Sequence, residues 1–124
     1  MRVVGVLIVD DQPFFRGAAR AVVGSLPGFR TVAEASSGRQ AVAVVDELRP
    51  DVVVLDVRMP GMDGIQTTRQ IKAHRPETVV ILVSVEDLDV LPSSGRTCGA
   101  EELVHKREFG PALLRRAWER HGGQ

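Results

Sequence analysis

Three apolar runs in this chain each end on an oxygen-bearing side chain, and that pattern restricts the fold more than any other feature. Val3 to Val9 stops at Asp10 and Asp11, Val52 to Leu55 stops at Asp56, and Val79 to Val83 stops at Ser84. Runs of this length without polar alternation read as strands buried on both faces, the pattern of a parallel sheet. In open α/β sheets the functional groups gather just outside the strands' carboxyl ends. Three aspartates are therefore expected to converge on one crevice, where their repulsion calls for a metal ion or a lysine.

The segments between the runs have helical periodicity. Asp10-Asp11-Gln12-Pro13 is a turn whose proline suits the first position of a helix, expected from Phe14 to Ser25 with Phe15, Ala18, Ala19, Val22 and Val23 on its buried stripe. Phe29 to Ala35 reads as a second strand. Ser36-Ser37-Gly38 caps a helix from Arg39 to Leu48, buried through Ala41, Val44, Val45 and Leu48. The third strand spans Asp51 to Asp56, a third helix Ile65 to His74, and a fourth strand Thr78 to Val83. Pro92 and Gly95 interrupt the place of a fourth helix, which is expected to be short, irregular or partly mobile. Glu101 to His105 is a brief fifth strand, and Gly110-Pro111 opens a last helix through Arg120 with Leu113, Leu114, Ala117 and Trp118 apolar. The alternation predicts an α/β, doubly wound parallel sheet with helices on both faces.

At 124 residues the chain is expected to form one domain with a full core. Lys plus Arg and Asp plus Glu are balanced at 16 each, so net charge points to neither nucleic acid nor an anionic membrane. Cys98 is the single cysteine, without an internal disulfide partner, and reads as a small buried apolar side chain. The amino terminus is too short and too soon acidic for a signal peptide, and no apolar run is long enough to span a membrane. A cytoplasmic location is expected.

The strand-end residues form a coherent chemical set. A hard divalent cation such as Mg²⁺ takes oxygen ligands and retains waters, so one or two carboxylates plus a carbonyl suffice. With that cation and Lys106 offsetting its charge, Asp56 stays ionised and can attack phosphorus as a nucleophile. Ser84 and Lys106 can then bind the oxygens of the transferred group. Singly, each has a plainer explanation as a turn, a cap or a solvated charge; the joint placement carries the reading.

These residues bring the chain close to a known family. Leu7-Ile8-Val9-Asp10-Asp11, Val54-Leu55-Asp56-Val57-Arg58-Met59-Pro60-Gly61-Met62-Asp63-Gly64, Val83-Ser84, Gly99-Ala100 and Lys106 make it resemble the receiver domain of two-component response regulators, of NarL-type flavour. The resemblance implies a flavodoxin-like, CheY-like sheet in the order 2-1-3-4-5, and a single receiver domain over residues 1–124 without an effector domain. It implies phosphorylation of Asp56 by a sensor histidine kinase or phosphotransfer protein, no enzyme activity beyond self-phosphotransfer and autodephosphorylation, and a switched surface for a downstream protein. It also implies Mg²⁺ ligation by Asp11, Asp56 and the backbone carbonyl of Arg58, with Asp10 acting through water and Ser84 and Lys106 contacting the phosphoryl group. A phosphorylation-dependent homodimer belongs to the same set of expectations.

Some positions depart from the family pattern. Leu103 stands where a switch aromatic is expected, three residues before Lys106; Glu102 replaces a usual glycine, and Arg107 stands where many members carry proline. The phosphorylation site is thus expected intact and the output machinery altered. Two alternatives remain: a pseudo-receiver that binds partners without phosphorylation, and a small aspartyl-phosphate phosphohydrolase, against which Arg58 stands in place of a second acid. Arg58 and Glu86, each two residues beyond a site residue, are expected to pair across the pocket mouth and slow hydrolytic water. His74, His105 and His121 lack metal-ligand spacing, and no functional role is assigned to them.

Overall fold

The computed structural model describes residues 2–122. Its elements alternate as β1 (Val4–Val9), α1 (Pro13–Gly24), β2 (Phe29–Ala35), α2 (Gly38–Leu48), β3 (Val52–Asp56), α3 (Gly64–His74), β4 (Val79–Ser84), α4 (Ser94–Thr97), β5 (Glu102–His105) and α5 (Pro111–His121). The five strands form one parallel sheet in the order β2-β1-β3-β4-β5. This is the expected doubly wound, flavodoxin-like topology.

Strand alternation divides the core into two layers. Leu7, Val9, Val53, Leu55, Val80 and Leu82 face α2 and α3 through Ala41, Val45, Ile65 and Ile71. Val6, Ile8, Val52, Val54, Ile81 and Val83 face the opposite way, against Ala19 and Val23 of α1 and Leu114 and Ala117 of α5. Burying one such side chain contributes about 1.5–3 kcal/mol, so a strand apolar at every position is stabilised from both sides. Cys98 is buried and free, as its small apolar character suggests.

The helix starts follow local chemistry. Pro13 occupies the first turn of α1, the Ser37 hydroxyl accepts the Gln40 amide at 3.2 Å, and the Asp63 carboxylate accepts the Gln66 amide at 2.9 Å. Two expected core positions lie outside: Ala18 faces solvent and Leu48 is 49% exposed. On α2 the buried face runs through Gly38, Ala41 and Val45, with Gly38 against Thr67 of α3 and Met62, and Leu48 lies beyond it. Glu101, expected to open the fifth strand, precedes it. Its carboxylate accepts the Val80 amide at 2.8 Å and pairs with Lys72 at 2.6 Å, bracing the sheet edge through the side chain.

Between β4 and β5 the interrupted segment forms a single 3₁₀ turn at Leu88–Val90 and a four-residue α4. Pro92 two residues ahead of α4 limits its extension toward the amino end, and Gly99 at a φ of 107° takes the backbone off the helical path just beyond Cys98, which together keep α4 short. Leu91, Gly95 and Cys98 still bury their side toward the sheet.

Candidate functional site

Strand register carries the predicted residues to one end of the sheet. Val9 pairs with Leu55, Asp56 with Val83 and Ser84 with His105, so Asp10, Asp56, Ser84 and Lys106 leave adjacent strands at nearly the same level. Carboxylate oxygens of Asp10, Asp11 and Asp56 all lie within 4.8 Å of one another. Asp10 is fully buried, Asp56 is 5% exposed and Ser84 is 1% exposed.

Lys106 reaches into this cluster. Its Nζ lies 2.6 Å from Asp10 Oδ2 and 3.4 Å from Asp56 Oδ1. Asp10 Oδ1 accepts the Gln12 amide at 2.8 Å, whereas the buried Oδ2 contacts the ammonium without a directed hydrogen bond. One lysine among three aspartates leaves the cluster net negative. Burial first, then the Asp10 charge, push the Asp56 carboxyl up from its ordinary 3.8 to about 6, with Lys106 opposing and Asp11 adding to the shift. An all-oxygen set with surplus negative charge and a buried acceptor lacking an aligned donor suits a hard divalent cation. The acids that the sequence singled out are thus brought together, with Lys106 between two of them.

The surrounding contacts fix this arrangement. Gly64 opens α3, its amide donates to the Val57 carbonyl at 2.9 Å, and a Cβ there would overlap the Asp56 carbonyl oxygen. Only glycine lets α3 start so close to the end of β3. The Ser84 hydroxyl accepts the Glu86 amide at 2.9 Å. The exposed Arg58 side chain donates from Nε to Glu86 Oε1 at 2.7 Å, so the two charges expected to pair do so. That hydrogen bond, with the Glu86 charge behind it, raises the Arg58 pKa above its ordinary value.

Three neighbours had no functional reading in the sequence. Lys106 Nζ lies 4.6 Å from the centroid of the Phe15 ring, which itself tilts against Phe109 at 6.1 Å. The ring face adds a cation–π attraction to the two carboxylates. Arg16 donates to the Asp10 carbonyl at 2.7 Å and lies 3.4 Å from Glu34, tying α1 to the strand end. His105 accepts and donates hydrogen bonds between two loops of the site. Phe15 reads in sequence only as part of an apolar stripe, and no local pattern marks it as a partner of a residue ninety positions away.

The family model for the response regulator receiver domain matches residues 6–118. The chain belongs to that family. Among curated proteins, the receiver domain is 39% identical over 107 residues to a protein-glutamate methylesterase/protein-glutamine glutaminase of Alkalilimnicola ehrlichii, covering 82% of this chain and 26% of that protein. It is 33% identical over 101 residues to response regulator GacA of Pseudomonas aeruginosa, covering 82% of this chain and 47% of the relative. The chain thus spans about a quarter to a half of the length of these relatives. Among solved structures, the response regulator domain of Thermotoga maritima CheB superposes with a TM-score of 0.83 at 31% identity, covering 95% of this chain and 96% of that one. The signal receiver domain of the putative response regulator NarL from Mycobacterium tuberculosis gives 0.84 at 30% identity, covering 94% and 98%. No helix among the described residues is long and apolar enough to cross a membrane.

Proposed function

We propose that this receiver domain accepts a phosphoryl group on Asp56 from the phosphohistidine of a sensor histidine kinase or phosphotransfer protein. The single observation that supports this most is the meeting of Asp10, Asp11 and Asp56 with Lys106 at the strand ends. An Asp56 carboxylate oxygen forms the new bond to phosphorus while the phosphorus–nitrogen bond breaks, its electron pair leaving on the donor imidazole. Lys106 and the Ser84 hydroxyl bind the oxygens of the arriving group, and Lys106 balances the charge that Asp10 and Asp56 would otherwise share.

Asp11, Asp56 and the Arg58 carbonyl would hold Mg²⁺, with Asp10 supporting it through water. When bound, the cation supplies charge neutralisation for the acids and the phosphoryl oxygens. The reaction is a self-phosphotransfer followed by autodephosphorylation, in the cytoplasm, and its product alters a surface read by a downstream protein.

Intact-mass measurement after incubation with a small phosphodonor tests this reading. One added phosphoryl group is expected with Mg²⁺ and little or none with a chelator. A folded protein that gains no group would favour a pseudo-receiver, a reading motivated by Leu103 and the four-residue α4. Rapid turnover of unrelated phosphoesters would favour a phosphohydrolase.

A further inference from the structure

We propose that His105 is a positioning residue, a neutral imidazole protonated on Nε2 that sets the separation between the Ser84 turn and Lys106. The proposal rests on the receiver reading above. His105 ends β5, in register with Ser84 of β4, and directly precedes Lys106. Its Nε2 lies 2.9 Å from the Val85 carbonyl oxygen, which can only accept, so that nitrogen carries the hydrogen. Its Nδ1 accepts the Arg107 amide at 3.1 Å, so that nitrogen carries none. The two partners together select one neutral tautomer.

The His105 backbone is held as well. Glu108 Oε1 accepts the His105 amide at 3.3 Å, completing a reciprocal cap on the 3₁₀ turn Lys106–Glu108. The Arg107 guanidinium also directs an N–H toward Nε2 at 3.2 Å and so competes with the Val85 carbonyl for that nitrogen; because Nδ1 accepts the Arg107 amide, the hydrogen of the neutral ring is left on Nε2, with the Val85 oxygen its nearer partner. On the far side, Val85 sits between Ser84 and Glu86, whose amide donates to the Ser84 hydroxyl at 2.9 Å. The Val85 side chain is 65% exposed and provides little anchorage for this turn.

One imidazole therefore joins the two loops whose side chains would grip the phosphoryl group from different directions. Lys106 is already fixed by Asp10 and Asp56, so the ring transmits that fixed position to the turn carrying the Ser84 hydroxyl. Leu103, an aliphatic two positions earlier, has no polar atom with which to make such a link. A group displaced from its productive position loses rate without losing the fold.

Long-range ¹⁵N–¹H spectra of the imidazoles and phosphorylation rates of two variants test the proposal. The spectrum at neutral pH should show His105 protonated on Nε2 and bare on Nδ1. Given an ordinary hydrogen bond, His105→Leu should form the Asp56 adduct roughly three- to tenfold more slowly with a small phosphodonor and Mg²⁺. His105→Gln, whose amide can donate to Val85 and accept from Arg107, should return close to the wild-type rate. An Nδ1–H tautomer, or a folded His105→Leu protein that phosphorylates at the wild-type rate, would overturn it. If the wild type takes no phosphoryl group, the receiver reading fails, and amide exchange at Glu86 decides the tie alone. Faster exchange in His105→Leu would then support the link, and unchanged exchange would refute it.

Discussion

Around Asp56 each approach is fixed by a close contact, whereas the crossover from Ser84 at the end of β4 to Glu102 at the start of β5 is made by a 3₁₀ turn and one short helix. Gly64 touches the Asp56 carbonyl, Asp10 is fully buried and Lys106 lies between two carboxylates. In that crossover, Val85 and Val90 are 65% and 61% exposed and α4 has four residues. The first region places charges that repel one another, so its geometry has to be over-determined by packing. The second carries no such charge cluster, and its backbone needs only to cover the edge of the core. Substitutions of the buried residues at the Asp56 cluster are therefore expected to have larger effects, of either sign, than substitutions around α4.

The largest expected effect is the loss of the phosphoryl adduct in Asp56→Asn. Next, Gly64→Ala should destabilise the domain by about 2–4 kcal/mol, the scale of an overpacked buried contact that backbone atoms cannot relieve. Urea denaturation would measure it, and a loss below 1 kcal/mol would mean that α3 slides freely off the end of β3.

Asp56→Asn should also reveal the repulsion within the cluster. The folded-state pKa of Asp56 is raised from 3.8 to about 6, so between those values the folded state binds more protons than the unfolded one. Wild-type stability without metal should fall as pH rises from about 4 through 6, and Asp56→Asn should escape that fall. Above that window the variant is expected to be the more stable by roughly 1–2 kcal/mol, after allowance for solvent screening, and the gap should close toward pH 4. Melting curves across pH without metal would show it; a gap constant with pH would contradict the account.

Smaller effects belong to the rim. Arg58→Ala removes the pair with Glu86 and should speed dephosphorylation about two- to fivefold, with stability changed by less than about 0.5 kcal/mol. An unchanged dephosphorylation rate would remove the gate from the account. Pro92→Ala is expected to change stability by no more than about 0.5 kcal/mol and to leave the phosphorylation rate as it is. A larger effect on that rate would show that α4 couples to the site more tightly than its few contacts indicate.

The sheet and the acids were legible in the sequence because both follow from local pattern. An apolar run ending in Asp10-Asp11 or Asp56 states a buried strand and its charged end in consecutive residues. Pro92 and Gly95 likewise announced the short α4. Contacts between distant segments left no such mark: the Phe15 ring beneath Lys106, the backbone approach that requires Gly64, and the His105 link to Val85 depend on strand register and helix rotation. Ala18 and Leu48 show the same limit from the other side, since helical periodicity gives a stripe and only the neighbouring elements decide its width.

Mapping the modified residue decides whether the converging acids make Asp56 a phosphoryl acceptor. Wild type and Asp56→Asn would be incubated side by side with a phosphodonor and Mg²⁺, then digested and sequenced by tandem mass spectrometry. The account predicts one phosphoryl group on the Asp56 peptide of the wild type and none on the folded variant. A group of equal yield in the variant, or one mapped to a different residue in the wild type, would contradict it.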